Sequence, residues 1–167
     1  AATSDWEAPT PVPEWVAGDV VDHLVVWFPQ FLAAAGVELG GALPADAGPA
    51  ARWDAHRRAV QALVDDSPAD AELDHPMVGA QPLGQAVDRF YTADVFMHTW
   101  DLARAAGVDA ELDPRFAAQL LAGMTPVEEM LRSSGQYGPA VAVDPDADPV
   151  SRLMAFVGRD PGWQPPG

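Results

Sequence analysis

The sequence lacks cysteine altogether, and its 167 residues also include no lysine, isoleucine or asparagine. Without cysteine the chain has no disulfide, no thiolate metal ligand and no cysteine nucleophile, so any thiol chemistry must use a thiol from another molecule. Basic residues are scarce, since 9 Lys plus Arg stand against 25 Asp plus Glu, for a formal net charge of -16. This charge repels phosphates and anionic lipid headgroups, which argues against nucleic-acid and membrane-surface partners.

Long hydrophobic runs are also missing. Asp22, His23 and Pro29 interrupt the most apolar stretch of the chain. No segment therefore reaches the roughly 18 to 20 apolar residues that cross a bilayer. Residues 1–13 have neither the basic nor the apolar region of a signal peptide, which predicts a cytoplasmic protein.

The expected organisation is a single domain. A hydrophobic share of 49% is enough for a substantial core in a chain of this length. We find no internal repeat and no sign of a second domain in the sequence. The domain is expected to span residues 1–167, with an extended arm at 1–12 and a tail at 159–167.

Helical periodicity dominates the sequence. Apolar residues recur at three- and four-residue steps over about 13–35, 49–65 and 82–106, which predicts three amphipathic helices. Pro29 lies inside the first pattern and removes a backbone donor. We therefore expect a kink or an early end of the first helix at that position.

Two aspartate–proline pairs, at 113–114 and 148–149, mark further helix starts. In each pair the aspartate suits the N-cap and the proline suits the first helical position. These helices are expected to end at Gly123 and Gly158. Residues 125–128 have the pattern of a capping box, which predicts that a helix restarts there.

The segment between the second and third helices carries weaker signals. Residues 65–76 are acidic and predict a loop, in which His75 precedes Pro76 and is expected to face solvent. Residues 77–81 predict a short extended piece that turns at Gly79.

The residues best suited to chemistry are Asp94 and His98, which lie four positions apart in the third helical pattern. Residues at this spacing stack on one face of a helix, so a carboxylate and an imidazole can converge on one atom. Both groups are ligands for borderline divalent metals. His23, on the apolar edge of the first helix, is the obvious third ligand, because burying an imidazole without a partner is costly.

Simpler interpretations exist for each of these residues. Asp94 and His98 could form an ordinary hydrogen-bonded pair, with His23 a core histidine bonded to a backbone carbonyl. His56, on the inner edge of the second helix, competes with His23 as the third ligand. Asp101 could orient the His98 imidazole or a bound water, or it could be a solvated acid near Arg104.

The stretch Asp94–Ala105, with the sequence Asp-Val-Phe-Met-His-Thr-Trp-Asp-Leu-Ala-Arg-Ala, resembles the signature of actinobacterial proteins in the DinB-like, mycothiol-dependent maleylpyruvate isomerase superfamily. The resemblance covers roughly residues 5–163. Other segments similar to that family, in its uncharacterised branch, are Pro9-Thr10-Pro11, Glu14-Trp15, His23, Met124-Thr125-Pro126, Leu131-Arg132, Gly135, Tyr137-Gly138 and Gly158-Arg159-Asp160-Pro161.

The resemblance implies an all-α fold, an up-down four-helix bundle with a divalent metal near one end of its core. His23, Asp94 and His98 match the family's three metal ligands position by position. The chain departs from the isomerase itself, which has glutamate at the position of Asp94. Family members also begin with a further helix before the stretch equivalent to residues 5–15. If that helix is absent, the exposed apolar edge predicts a homodimer or a late helix that fills the gap.

The function that the resemblance implies is a thiol-dependent transferase or isomerase that acts on a small electrophilic substrate. Its cofactor is a divalent metal, with Zn favoured and Ni, Fe or Mn also suited, and its cosubstrate is mycothiol or a related low-molecular-weight thiol. Asp101 is assigned to the catalytic site as an orienting group. Trp27, Tyr91 and Trp100 are expected to line the cavity that binds the thiol or substrate.

Two other functions remain open at the level of sequence. The first is a metal- or ligand-binding bundle without turnover, because related folds occur with and without catalysis. The second is a structural protein in which the His–Asp–His group is only a hydrogen-bonded core cluster.

Overall fold

The structure, a computed structural model, describes residues 5–44 and 46–166. Its described residues are mostly helical, as expected, with one small antiparallel sheet. Residues 1–4 of the predicted arm and residue 167 of the predicted tail lie outside the described residues. The elements in chain order are α1 (Ala17–Ala34), α2 (Pro49–Asp66), β1 (Glu72–His75), β2 (Gly79–Pro82), α3 (Leu83–Ala86), a π-helical segment (Val87–Thr92), α4 (Ala93–Ala105), α5 (Pro114–Met124), a 3₁₀ turn (Thr125–Val127), α6 (Glu128–Ser133) and α7 (Pro149–Phe156).

The described chain forms two compact units. The described residues of one unit fall within Val16–Val95, and those of the other fall within Ala1–Trp15 and Phe96–Gly167. The boundary between Val95 and Phe96 falls inside α4, which is one unbroken helix. Among the described residues, no helix has both the length and the apolarity of a membrane span.

The first helix starts later than the sequence predicts. Glu14 has φ of 67°, a left-handed conformation that cannot continue a helix. The backbone N–H of Thr10 donates to the carbonyl of Trp15 at 3.0 Å, which closes a turn before α1 begins. The helix then runs through Pro29 to Ala34, so the predicted early end at the proline is wrong.

The unit Val16–Val95 packs α1 and α2 around a core that includes Phe28, Leu32, Val60 and Leu73. The helix α2 ends one residue beyond its predicted bound. The sheet pairs β1 with β2, placing Glu72 opposite Pro82 and His75 opposite Gly79. The short extended piece is therefore present, but part of the predicted acidic loop is its partner strand.

His75 is buried rather than facing solvent, so that prediction is wrong. Only 4% of the residue is exposed, because Leu73 and His75 occupy alternate positions of β1 that point inward. Its ring stacks on Phe31 with centroids 4.1 Å apart. The backbone N–H of Met77 donates to its Nδ1 atom at 3.1 Å, which satisfies one imidazole nitrogen within the turn.

The predicted third helix is present as a continuous helical segment made of α3, the π-helical segment and α4. The π-helical segment, Val87–Thr92, was not predicted. Such insertions are rare, and they often occur at functional sites because they shift the register of the side chains that follow. Here the α-helical register resumes directly before Asp94.

The second unit packs α5 against α7, with Met97, Trp100, Leu153 and Met154 in its core. Both predicted aspartate caps are confirmed. The Asp113 carboxylate accepts from the backbone N–H of Arg115 at 2.8 Å. The Asp148 carboxylate likewise accepts from Val150 and Ser151, each at 3.0 Å.

The capping box predicted at residues 125–128 is wrong. The Thr125 hydroxyl donates to the carbonyl of Leu121 at 2.7 Å, so it bonds to the preceding helix instead of capping the next one. Residues 125–127 form a 3₁₀ turn, and Val127 precedes α6 without a side-chain cap.

Candidate metal centre

Two helices of the unit Val16–Val95 bring His23 and Asp94 together. Nε2 of His23, on α1, lies 3.0 Å from Oδ2 of Asp94, on α4. Trp27 lies one turn after His23, and its indole Nε1–H donates to the same carboxylate oxygen at 2.8 Å. Two residues of α1 therefore hold the Asp94 carboxylate in place, and the His23 and Trp27 rings stack at 6.1 Å.

His98 follows Asp94 by one turn of α4, as the sequence spacing predicts. His23, Asp94 and His98 each offer one ligand atom, and these atoms all lie within 4.8 Å of one another. Two imidazoles and one carboxylate are a donor set that suits borderline divalent ions such as Zn, Ni, Fe and Mn. This group of residues could therefore hold a metal ion.

The His98 ring is held from two directions by residues of its own unit. Nδ1 of His98 lies 2.9 Å from Oδ2 of Asp101, and both side chains are almost completely buried. The indole of Trp15 stacks on the imidazole, with ring centroids 5.8 Å apart and planes 15° apart. Because Nδ1 is bonded to Asp101, Nε2 is the nitrogen that can face a metal. A carboxylate bonded to the second nitrogen of a ligating histidine is common in metal proteins.

Asp101 is not a solvated acid near Arg104. It is fully buried, and Arg104 instead lies over the Trp100 ring and 3.6 Å from Asp109. The contact of Asp101 with His98 is the one that an orienting role requires.

Arg159 completes this arrangement, although the sequence predicts only a tail at this position. Its Nη2 donates to Oδ2 of Asp101 at 3.1 Å, and its Nε donates to Oδ1 at 3.4 Å. A buried carboxylate is costly without an opposite charge, and the guanidinium supplies that charge. Two sequence signals point to it: an arginine directly after the glycine that follows α7, in a chain with few basic residues, and the family-like segment Gly158-Arg159-Asp160-Pro161.

The three residues expected to line a cofactor cavity lie in different surroundings. Trp27 bonds to a candidate ligand, as described above. Tyr91 is buried against Phe28, with ring centroids 4.5 Å apart, and burial together with the Asp94 charge raises the pKa of its hydroxyl. Trp100 packs in the hydrophobic core with Met97 and Leu153. Their role toward a thiol or substrate stays a prediction.

His56, the competing third ligand, does not belong to the ligand group found among the described residues. It is buried, and its ring lies edge-on to Tyr91 with centroids 5.4 Å apart. Burial lowers the pKa of His56 to about 4, so the imidazole is neutral at pH 7. Within the described residues, neither its Nε2 nor the Tyr91 hydroxyl has a hydrogen-bond partner.

Comparison with known proteins places the chain among mycobacterial relatives. No protein-family model matches it, and no solved structure does. The chain is 30% identical over 166 residues to uncharacterized protein MT0763 of Mycobacterium tuberculosis strain CDC 1551 / Oshkosh, covering 90% of this chain and 83% of the relative. The same values hold for uncharacterized protein Rv0738 of strain ATCC 25618 / H37Rv. At this identity and coverage, the chain belongs to the family of these two Mycobacterium tuberculosis proteins.

Proposed function

We propose that the protein binds one divalent metal ion through His23, Asp94 and His98, and that it is a thiol-dependent transferase or isomerase for a small electrophile. The observation that carries the proposal is the convergence of three ligand atoms within 4.8 Å. Three protein ligands are typical of catalytic rather than structural metal sites, because they leave a coordination position for water or substrate. The proposal includes a DinB-like up-down four-helix bundle as the fold.

The residues around the ligands support a metal site over a simple core cluster. Trp27 fixes the Asp94 carboxylate, and Asp101 fixes the His98 ring through Nδ1. A core cluster would need only mutual hydrogen bonds, whereas here one ligand atom each of His23, Asp94 and His98 lies within 4.8 Å of the others. Asp101 contacts Nδ1 of His98 from outside this group. His23 and Asp94 are also partly exposed, with side-chain exposures of 32% and 19%, so a substrate can approach the group from solvent.

A divalent cation in this position would lower the pKa of a water or thiol and polarise a carbonyl oxygen. The chain itself has no cysteine, so the thiol comes from outside, and mycothiol is the natural candidate by resemblance. The role of the chain is to hold the ligands and to keep their hydrogen-bond partners fixed. The indole rings of Trp27 and Trp15 stack on His23 and His98, respectively.

The first test is a metal inventory of purified protein, with His98→Gln compared with His75→Gln. Both histidines are 4% exposed, so the pair separates loss of a ligand from loss of a buried imidazole. We expect about one equivalent of metal in the wild type and in His75→Gln, and little in His98→Gln. A folded, metal-free wild-type protein that takes up no added Zn²⁺, Ni²⁺, Fe²⁺ or Mn²⁺ contradicts the metal proposal.

The second test measures thiol consumption with mycothiol and 1-chloro-2,4-dinitrobenzene, before and after treatment with a chelator. We expect turnover that is lost on chelation and restored by the metal identified in the inventory. If the protein holds a metal but consumes no thiol with this or a carbonyl electrophile, the metal-binding bundle without turnover is the correct function.

A further inference from the structure

The position of Arg159 is set by the turn that follows α7. The helix α7 ends at Phe156, and Gly158 follows with φ of 91°. The backbone N–H of Gly158 donates to Ala155 at 3.1 Å, and that of Arg159 donates to Met154 at 2.9 Å. This left-handed glycine cap turns the chain sharply and directs the residue after it back toward the helix.

The turn is also confined by its surroundings. A Cβ atom at residue 158 would lie 3.2 Å from the backbone of Gly138, closer than ordinary packing allows. Only glycine therefore suits both the backbone angle and the space. The result is that Arg159 is directed at Asp101, 58 residues earlier in the chain.

The hydrogen-bond pattern determines where the proton of His98 lies. A guanidinium has only donors, and Arg159 donates to both oxygens of Asp101. Asp101 therefore acts only as an acceptor, so the hydrogen in the 2.9 Å contact with His98 belongs to Nδ1 of the imidazole. In the neutral ring this leaves the lone pair on Nε2.

We propose that Arg159 is a positioning residue, which acts through Asp101 to keep His98 in the tautomer that carries its hydrogen on Nδ1. The inference rests on the proposed function, since the purpose of this tautomer is to present Nε2 to the metal. The guanidinium fork matters as well as the charge, because its two N–H groups fix both oxygens of the carboxylate.

The test measures the His98 tautomer directly in the metal-free 167-residue chain at pH 8, by ¹⁵N NMR of labelled histidine. The variants are Arg159→Met, which removes the donors, and Arg159→Lys, which keeps the charge but loses the fork. Arg152→Met is the matched control, because Arg152 is an exposed arginine in α7, the helix that precedes Arg159. We expect the wild type and Arg152→Met to be almost entirely in the Nδ1–H form, and both Arg159 variants to be a mixture of tautomers.

Zn²⁺ affinity is the second readout. We expect Arg159→Met to weaken binding by roughly 10- to 100-fold, in line with the loss of other outer contacts of metal-ligating histidines. In a background of Asp101→Asn, the same substitution should produce little further loss, since the two residues act as one unit. If Arg159→Met does not fold, the Zn²⁺ affinity of Arg159→Lys is measured instead.

An unchanged tautomer in both Arg159 variants overturns the inference, whatever happens to their thermal stability. The NMR readout needs no metal, so it still decides the role of Arg159 if the wild-type protein proves unable to bind metal. In that case the proposed function fails separately.

Discussion

Nδ1 of His98 lies 2.9 Å from Oδ2 of Asp101, and the two side chains are 5% and 0% exposed. The pair is three residues apart on α4, so the helix itself sets the contact. The helix provides no positive charge to offset the cost of burying the Asp101 carboxylate. Arg159 provides this charge from a distant segment of the chain. The orientation of His98 therefore depends on a local contact with Asp101 and, through Asp101, on the distant Arg159.

Replacing Asp101 by asparagine tests the orienting contact. The amide keeps the size of the carboxylate but can no longer accept from both His98 and Arg159 through charged oxygens. We expect Zn²⁺ affinity to fall by roughly 10- to 100-fold, measured by competition with a chelating dye. Asp109→Asn is the control, since Asp109 is 96% exposed and should leave the affinity unchanged. Equal affinities for the two variants would contradict an orienting role of Asp101.

Trp27→Phe tests the indole hydrogen bond to Asp94. The substitution keeps an aromatic ring beside His23 and removes the donor that lies 2.8 Å from the carboxylate. A hydrogen bond to a charged group is worth about 1.5–3 kcal/mol. We therefore expect metal affinity to fall by about tenfold or more, measured by titration calorimetry. An affinity equal to that of the wild type would show that the indole does not hold the ligand.

Tyr91→Phe tests the buried hydroxyl, which has no hydrogen-bond partner among the described residues. Removing an unsatisfied polar group from an aromatic environment should stabilise the fold by about 1 kcal/mol or leave it unchanged. Urea denaturation at pH 7.5 provides the measurement. A loss of more than about 1 kcal/mol would reveal a hydrogen bond that this geometry does not contain.

His56 makes folding stability depend on pH in a defined direction. Its pKa is about 4 in the folded protein, compared with 6.5 for an unperturbed histidine, so the unfolded chain binds the proton more tightly. The contribution of neutral His56 to the free energy of unfolding is therefore complete above pH 6.5. As the pH falls from 6.5 toward 4, the free energy of unfolding decreases by up to about 3 kcal/mol. Urea denaturation between pH 7.5 and 4.5 should show a steeper loss in the wild type than in His56→Gln. Parallel pH curves for the two proteins would refute the prediction.

Gly158→Ala tests the turn that positions Arg159. With φ of 91° and Gly138 only 3.2 Å from the new Cβ atom, alanine is strained in both conformation and space. We expect a loss of about 1–3 kcal/mol in the free energy of unfolding. Gly123→Ala is the control, because this residue lies within α5 and a Cβ there meets nothing within 4 Å. It should stabilise the fold by about 0.5–1 kcal/mol, and an equal response of the two variants would argue against the strain.

The parts of the site that sequence could predict depend on short-range geometry. Asp94 and His98 were identified because a helix places residues four apart on one face. The caps at Asp113 and Asp148 were identified for the same reason, since each involves only the next two or three residues. The prediction of His23 depends on its place at the edge of an apolar stripe and on the family resemblance.

The parts that sequence could not predict depend on interactions that short patterns do not describe. The late start of α1 follows from the left-handed Glu14 and the bond from Thr10 to Trp15. The burial of His75 follows from the pairing of β1 with β2, in a segment whose acidic composition favours a loop. In both cases a tertiary or turn contact outweighs the local preference.

The sequence by itself determined the helices, their aspartate caps and the shared face of Asp94 and His98, because these relations extend over at most one or two helical turns. Only the tertiary structure decided that His23 meets Asp94 and that Arg159 meets Asp101, across 71 and 58 residues of the chain. Such contacts depend on how packed helices and turns bring distant residues together, and no local periodicity encodes that arrangement.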